Sequence, residues 1–152
     1  MNYVTALVQL PLVRETGKEQ IRNPEDVARV CADLSELAQE ALHVLILSTK
    51  HCLINRQMVT LGLADASLAH AREVFRPAIE AGAAIGIILV HGHPSGDPTP
   101  SAEDIKITKK LIEAGRILDI AVQDHVIIGK ATESSKGFFS MRQAGLCDFG
   151  AA

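Results

Sequence analysis

An α/β sandwich, a mixed β-sheet flanked by helices, is the fold class this sequence predicts, and three observations carry the prediction. Short β-branched apolar runs alternate with segments of helical periodicity, the pattern of helices interleaved with hairpins and single strands. The chain has 152 residues, enough to bury one proper core. Its side chains are 47 % apolar, which places it among globular chains and not disordered ones.

In chain order, residues 3–14 carry Val4, Leu7, Val8, Leu10, Leu12 and Val13 around Pro11 and predict one or two short strands, with Pro11 at an edge. Residues 15–18 are a turn. Residues 1–22 are thus expected to be an N-terminal strand or hairpin extension, with the main domain over 23–152. The first helix has Asn23 as N-cap, Pro24 in the first helical position, and Glu25 and Asp26 at its positive end. Val27, Val30, Cys31, Leu34, Leu37, Ala38 and Ala41 recur at helical spacing and predict one continuous apolar stripe. His43 to Thr49 and Leu53 to Leu63 predict an antiparallel strand pair around Lys50-His51-Cys52. A second helix is expected over Ser67–Ala81, with Leu68, Ala71, Val74, Phe75, Ala78 and Ile79 inward and Pro77 removing one internal hydrogen bond. Ala84 to Val90 is a buried strand. A third helix runs from Ala102 to Ala114 and stops at Gly115. Asp119 to Ile128 returns as one or two strands, and Gly137–Arg142 is a short strand and turn covering the sheet.

The chemistry concentrates in residues 91–104. His91 and His93 follow the buried strand two residues apart, so in an extended chain both imidazoles point to one face. Pro94, Gly96, Pro98 and Pro100 make a stiff, non-helical loop. Ser101 stands as N-cap of the next helix with Asp104 in its first turn. Taken alone, Ser101-x-x-Asp104 is a variant capping box that needs no metal, and histidines at a strand end are ordinary polar residues. Together they offer two nitrogens and one oxygen, a three-ligand zinc set with an open fourth position, the catalytic arrangement.

His-x-His, seven residues, Ser, two residues, Asp matches the JAMM metalloprotease motif, and His91-Gly92-His93-Pro94-Ser95-Gly96-Asp97-Pro98-Thr99-Pro100-Ser101 resembles its RadC branch, where the residue between the histidines is commonly Asn. Arg72–Ile79 and Asp124-His125-Val126-Ile127-Ile128-Gly129 also resemble RadC segments, so the likeness covers roughly residues 23 to 146. Ala71 stands where RadC proteins usually have Pro. The resemblance implies a JAMM/MPN-type, cytidine-deaminase-like sandwich and a zinc-dependent hydrolase of peptide or isopeptide bonds. It implies Zn2+ held by His91, His93 and Asp104, with water activated by the metal. Gln39-Glu40-Ala41-Leu42-His43-Val44-Leu45 resembles the segment that supplies the general base, so Glu40 takes that role, with Glu36 the alternative one helical turn earlier. Ser101 would donate to the developing oxyanion. Asp124-His125 is the rival metal pair, read instead as support for the site. His43, His51 and His70 are read as structural or surface residues, and Cys31 as core.

Composition excludes other classes. Cys31, Cys52 and Cys147 are odd in number, far apart and form no CxxC, against a disulfide framework or a cysteine zinc site. A zinc nucleobase deaminase would show His-x-Glu and a downstream Cys-x-x-Cys, and neither is present. The net charge is −3, so nucleic acid is not an expected partner. RadC proteins carry a helix-hairpin-helix region ahead of the catalytic domain. Residues 1–22 leave no room for one, so DNA binding is not carried over. No apolar run approaches the roughly 20 residues of a membrane span, and Met1-Asn2-Tyr3-Val4 begins no export signal. The expected location is cytoplasmic and the expected partner a peptide or protein. The competing readings are a catalytically silent JAMM-like binding module and a DNA-repair or recombination accessory protein.

Overall fold

The computed structural model describes residues 19–61, 69–82 and 84–150. Those residues build a five-stranded sheet: β1 (Ala41–Leu47), β2 (Leu53–Leu61), β3 (Gly86–Gly92), β4 (Ala121–Ile128) and β5 (Phe138–Ser140). The order across the sheet is β2-β1-β3-β4-β5. β1 runs antiparallel to both β2 and β3, β4 is parallel to β3, and β5 is antiparallel to β4. Three helices flank it: α1 (Pro24–Val30), α2 (Ala71–Ala81) and α3 (Ala102–Leu118), the last forming the β3–β4 crossover that parallel strands require. A mixed sheet between helices is the expected class.

Alternation along the strands gives each face its own core. Leu42, Val44, Ile46, Ile87 and Leu89 pack with Val74, Phe75 and Ala78 of α2 and Ile107, Leu111 and Ile112 of α3. Ala41, Leu45, Leu47, Ile88 and Val90 pack on the other face with Val27 of α1 and with Cys31 and Leu34. His91 therefore leaves β3 on the α3 face, and Gly92 on the α1 face. A Cβ on Gly92 would lie 2.7 Å from the Leu34 carbonyl oxygen, so glycine lets the chain after α1 close over the strand end.

Several boundaries differ from expectation. The first helix ends at Val30, and the continuous stripe to Ala41 does not form: a 3-10 turn follows over Ala32–Glu36, Leu37 is extended, and Ala41 opens β1. The cause lies on β2. Buried Arg56 donates to the Val30 carbonyl at 3.1 Å, taking up an oxygen that a longer helix would have used, and forks onto the Asp33 carboxylate at 2.8 and 2.7 Å. Asn23 and Pro24 start that helix as expected, with the Asp26 N–H donating to the Asn23 side chain. The strand expected over 43–49 lies at Ala41–Leu47, because the Ser48 hydroxyl accepts from the Lys50 and Cys52 N–H groups in a turn.

α2 begins at Ala71, with His70 in the extended N-cap position, and Ile79 is 56 % exposed and does not face the core. Pro77 does sit inside α2. Gly115 does not stop α3, which continues to Leu118 and closes on Asp119 in the left-handed region. A Cβ at Gly115 would lie 2.4 Å from the Ile120 carbonyl oxygen, so this glycine serves a close approach inside the helix. β5 extends the sheet beside β4 and does not cover it. The strands expected within 3–14, the turn at 15–18, and Leu63, Ser67 and Leu68 lie outside the described residues. Among the described residues no helix is long and apolar enough to cross a membrane, and Cys31, Cys52 and Cys147 are free. Cys31 is fully buried, as expected, and burial pushes its thiol up to about 12.

Candidate metal centre

β3 carries its strand geometry through His91 and Gly92, and the chain then turns at Pro94. The loop is tied down locally: the Gly96 N–H donates to the His93 carbonyl at 2.9 Å, and Asp97 accepts from the N–H and hydroxyl of Thr99 at 3.0 and 2.7 Å. α3 then starts with a complete capping box. The Asp104 N–H donates to Ser101 Oγ at 3.1 Å, and the Ser101 N–H donates to Asp104 Oδ2 at 2.8 Å. The cap that reads as purely structural in sequence is what aims the Asp104 carboxylate at the end of β3.

There it meets both histidines. His91 Nε2 and His93 Nε2 are 2.9 Å apart, Asp104 Oδ1 is 3.4 Å from the first, and Oδ2 is 3.3 Å from the second. Among the described residues, these three form the group that could hold a metal ion. Zinc bonds of about 2.0–2.1 Å in a tetrahedron set ligand atoms about 3.3 Å apart; each nitrogen has an Asp104 oxygen near that distance, the two nitrogens stand closer together, and the nitrogen and oxygen donor set suits zinc. The cluster is dry on one side, the side chains of His91 and Asp104 being 3 % and 6 % exposed, while His93 at 13 % opens outward.

Burial works to raise the Asp104 carboxyl, but bonds to His91, His93 and the Ser101 N–H hold it well below the usual carboxylate range. The Asp104 carboxylate in turn raises His93 above its ordinary value, against the opposing effect of burial. A permanent anion beside two imidazoles is a site that favours a cation.

The remaining ring nitrogens are engaged from behind. His93 Nδ1 is 2.8 Å from the Asp97 carbonyl. His91 Nδ1 is 2.7 Å from His125 Nε2 on β4, and His125 Nδ1 is 2.6 Å from Thr108 Oγ1 on α3. Burial holds fully buried His125 well below the usual histidine range. Asp124 and His125, the rival pair, do not act together. The Asp124 carboxylate is spent on Ser140 Oγ at 2.5 Å and on the His125 and Arg142 N–H groups at 2.7 and 3.0 Å.

A pocket of about 360 Å³ opens on the cluster, lined by Glu40, Ser101, Glu103, His93 and Asp104 together with Pro94 and Ser95. Glu40, half-buried, is the residue immediately before β1, and its position there follows from the early end of α1. Ser101 Oγ is already an acceptor in the cap, which leaves its hydroxyl proton as a donor. Glu36 lies exposed in the 3-10 turn and does not line this pocket. Among the described residues, His43, His51 and His70 are not part of this cluster. Thr108 belongs to no motif in the sequence, although its place four residues after Asp104 puts both on one helix face.

The family model of the RadC-like JAB domain matches residues 21–146. The chain belongs to that family. It is 46 % identical over 135 residues to a UPF0758 protein of Listeria monocytogenes, covering 86 % of this chain and 60 % of that one. A UPF0758 protein of a Geobacillus strain is 47 % identical over 130 residues, covering 85 % and 55 %, and one of Thermotoga maritima 42 % over 148 residues, covering 93 % and 64 %. The chain thus spans little more than half the length of the curated relatives it matches. The RadC-like JAB segment contains the whole His91–His93–Asp104 cluster, with Glu40, Ser101 and His125.

Proposed function

We propose that this RadC-like JAB domain hydrolyses peptide or isopeptide bonds with a zinc ion held by His91, His93 and Asp104. One observation carries the reading: two imidazole nitrogens and a carboxylate converge on a pocket that Glu40 and Ser101 also line. When bound, the metal supplies a Lewis acid that polarises a carbonyl and makes water nucleophilic near neutral pH. Glu40 stands at the pocket to take the proton from the attacking water and return it to the leaving nitrogen. The free hydroxyl proton of Ser101 is placed to donate to the carbonyl oxygen as negative charge develops there, while its lone pair stays on the Asp104 N–H. The capping box holds Ser101 and Asp104 in fixed relation, so donor and ligand move together. The substrate is a peptide or protein, and the setting is cytoplasmic.

Glu40→Gln tests the assignment, because it keeps the side-chain size and removes the basic oxygen. The variant should keep the fold and its metal while hydrolysis of a substrate found in a peptide and isopeptide library falls by about 10²- to 10⁴-fold. Glu36→Gln should leave the rate unchanged. Equal rates for Glu40→Gln and the parent protein, on a substrate the parent cleaves, would contradict the role of Glu40.

A further inference from the structure

The two histidines at the cluster are not held alike. His93 is fixed from within its own loop, by the carbonyl of Asp97. His91 is fixed from across the sheet, through a line of contacts that leads back to the third residue of the cluster. Thr108 Oγ1 is 2.6 Å from the Asp104 carbonyl, His125 Nδ1 is 2.6 Å from Thr108 Oγ1, and His91 Nδ1 is 2.7 Å from His125 Nε2.

The proton positions along this line follow from its first atom. A carbonyl oxygen only accepts, so the single hydroxyl proton of Thr108 goes to Asp104, the other neighbour being the weak acceptor Met141 Sδ at 3.6 Å. Thr108 therefore faces His125 with a lone pair, and His125 Nδ1 carries the proton. His125 is 1 % exposed and its ring contacts are a hydroxyl and an imidazole, with no carboxylate, so it carries one proton and not two. Its Nε2 is then an acceptor, and His91 Nδ1 must donate to it. His91 is left with Nε2 unprotonated, the nitrogen that faces His93 and Asp104.

We infer that Thr108 and His125 are positioning residues, which fix the ring plane and tautomer of His91 so that its Nε2 lone pair is presented to a divalent cation. The inference rests on the metal site proposed above. It links the ligands through hydrogen bonds as well as through the backbone: the helix that brings Asp104 also brings, one turn on, the hydroxyl that sets His91.

The sheet is built for this contact. Ile87 pairs with Val122 but Ile88 pairs with Asp124, so Gln123 is an extra residue, a bulge in β4. Val122 packs on the α2–α3 face, and strict alternation from it would put His125 on the opposite face. The bulge reverses the parity and turns His125 toward His91. Backbone groups at the bulge are taken up by side chains: Arg142 donates to the Gln123 carbonyl at 2.8 Å, and the Asp124 carboxylate accepts the His125 N–H at 2.7 Å.

Thr108→Val, which removes the hydroxyl and keeps the shape, is the deciding variant, with Thr108→Ser as rescue and His125→Phe as the coarser change. In the metal-free parent at about pH 8, above the ordinary histidine range, long-range proton–nitrogen NMR should show His91 protonated on Nδ1. Thr108→Val should shift His91 toward protonation on Nε2, and Thr108→Ser should restore the parent pattern. Zinc affinity should fall by about 10- to 100-fold in Thr108→Val and His125→Phe and return in Thr108→Ser. If Thr108→Val lowers the melting temperature but leaves the His91 nitrogen signals and zinc affinity at parent values, Thr108 and His125 are core packing and the inference is wrong. If the parent binds no zinc, the metal reading fails, and the His91 tautomer still decides whether the relay exists.

Discussion

His43 lies on β1 at 1 % exposure, with its Nδ1 accepting from Arg56 Nε at 3.0 Å. Burial first, and then the guanidinium charge, lowers it from 6.5 to about 4. The unfolded chain takes up a proton at His43 below about pH 6.5 and the folded chain does not until near 4, so stability falls as pH drops through that window. The loss at this one residue amounts to about 3 kcal/mol. Urea unfolding between about pH 7 and pH 4 should show the decline, with a shallower slope in His43→Leu, and NMR titration should place His43 near the lower value. A midpoint at the ordinary histidine value would contradict this account. The site residues divide by what a sequence can display. His91, His93, Ser101 and Asp104 were legible because a period of two and a cap spacing are local rules. The partner of His91 was legible only as a nearby histidine. Its facing depends on the bulge at Gln123, and no local pattern announces that.

At the scale of elements, the starts of α1 and α3 read well and their ends read poorly, while α2 reads well at its end and begins later than its sequence suggests. Asn23-Pro24 and Ser101 start α1 and α3 through contacts within a few residues. The end of α1 is set by Arg56, on another strand, and Gly115 inside α3 serves a close approach to Ile120 and not a helix stop. Gly115→Ala makes the second point measurable. In an ordinary helix this exchange stabilises by about 0.4–1 kcal/mol. Here the new methyl would meet the Ile120 carbonyl oxygen and the Phe75 ring, and a loss of about 1–3 kcal/mol is expected in urea unfolding. A gain in stability would show that Gly115 is free to change. Glu40 belongs to the same scale. It reaches the pocket because α1 stops early and the chain is already turning into β1, a placement that a helix running to Ala41 would have prevented.

Taken together, the described residues form two apolar cores on a mixed sheet, with the cluster at one end of its central strands. The fold class was legible because the strand runs and helical periods are strongly expressed, and because residues 91–104 punctuate them. A net charge of −3 does not favour a polyanionic partner. Binding to single- or double-stranded DNA at near-physiological salt should therefore be weaker than micromolar, and tight binding with a steep salt dependence would favour a nucleic-acid role. Since two apolar cores hold the described sheet and helices together without help from a metal, the metal-free protein should stay folded with a lower melting temperature. The central claim is that His91, His93 and Asp104 hold a catalytic metal, and metal analysis of freshly purified protein tests it most directly. One zinc per chain is expected, lost in His91→Ala, His93→Ala and Asp104→Asn. Protein that carries no zinc, and whose melting temperature does not rise when zinc is added, would contradict it.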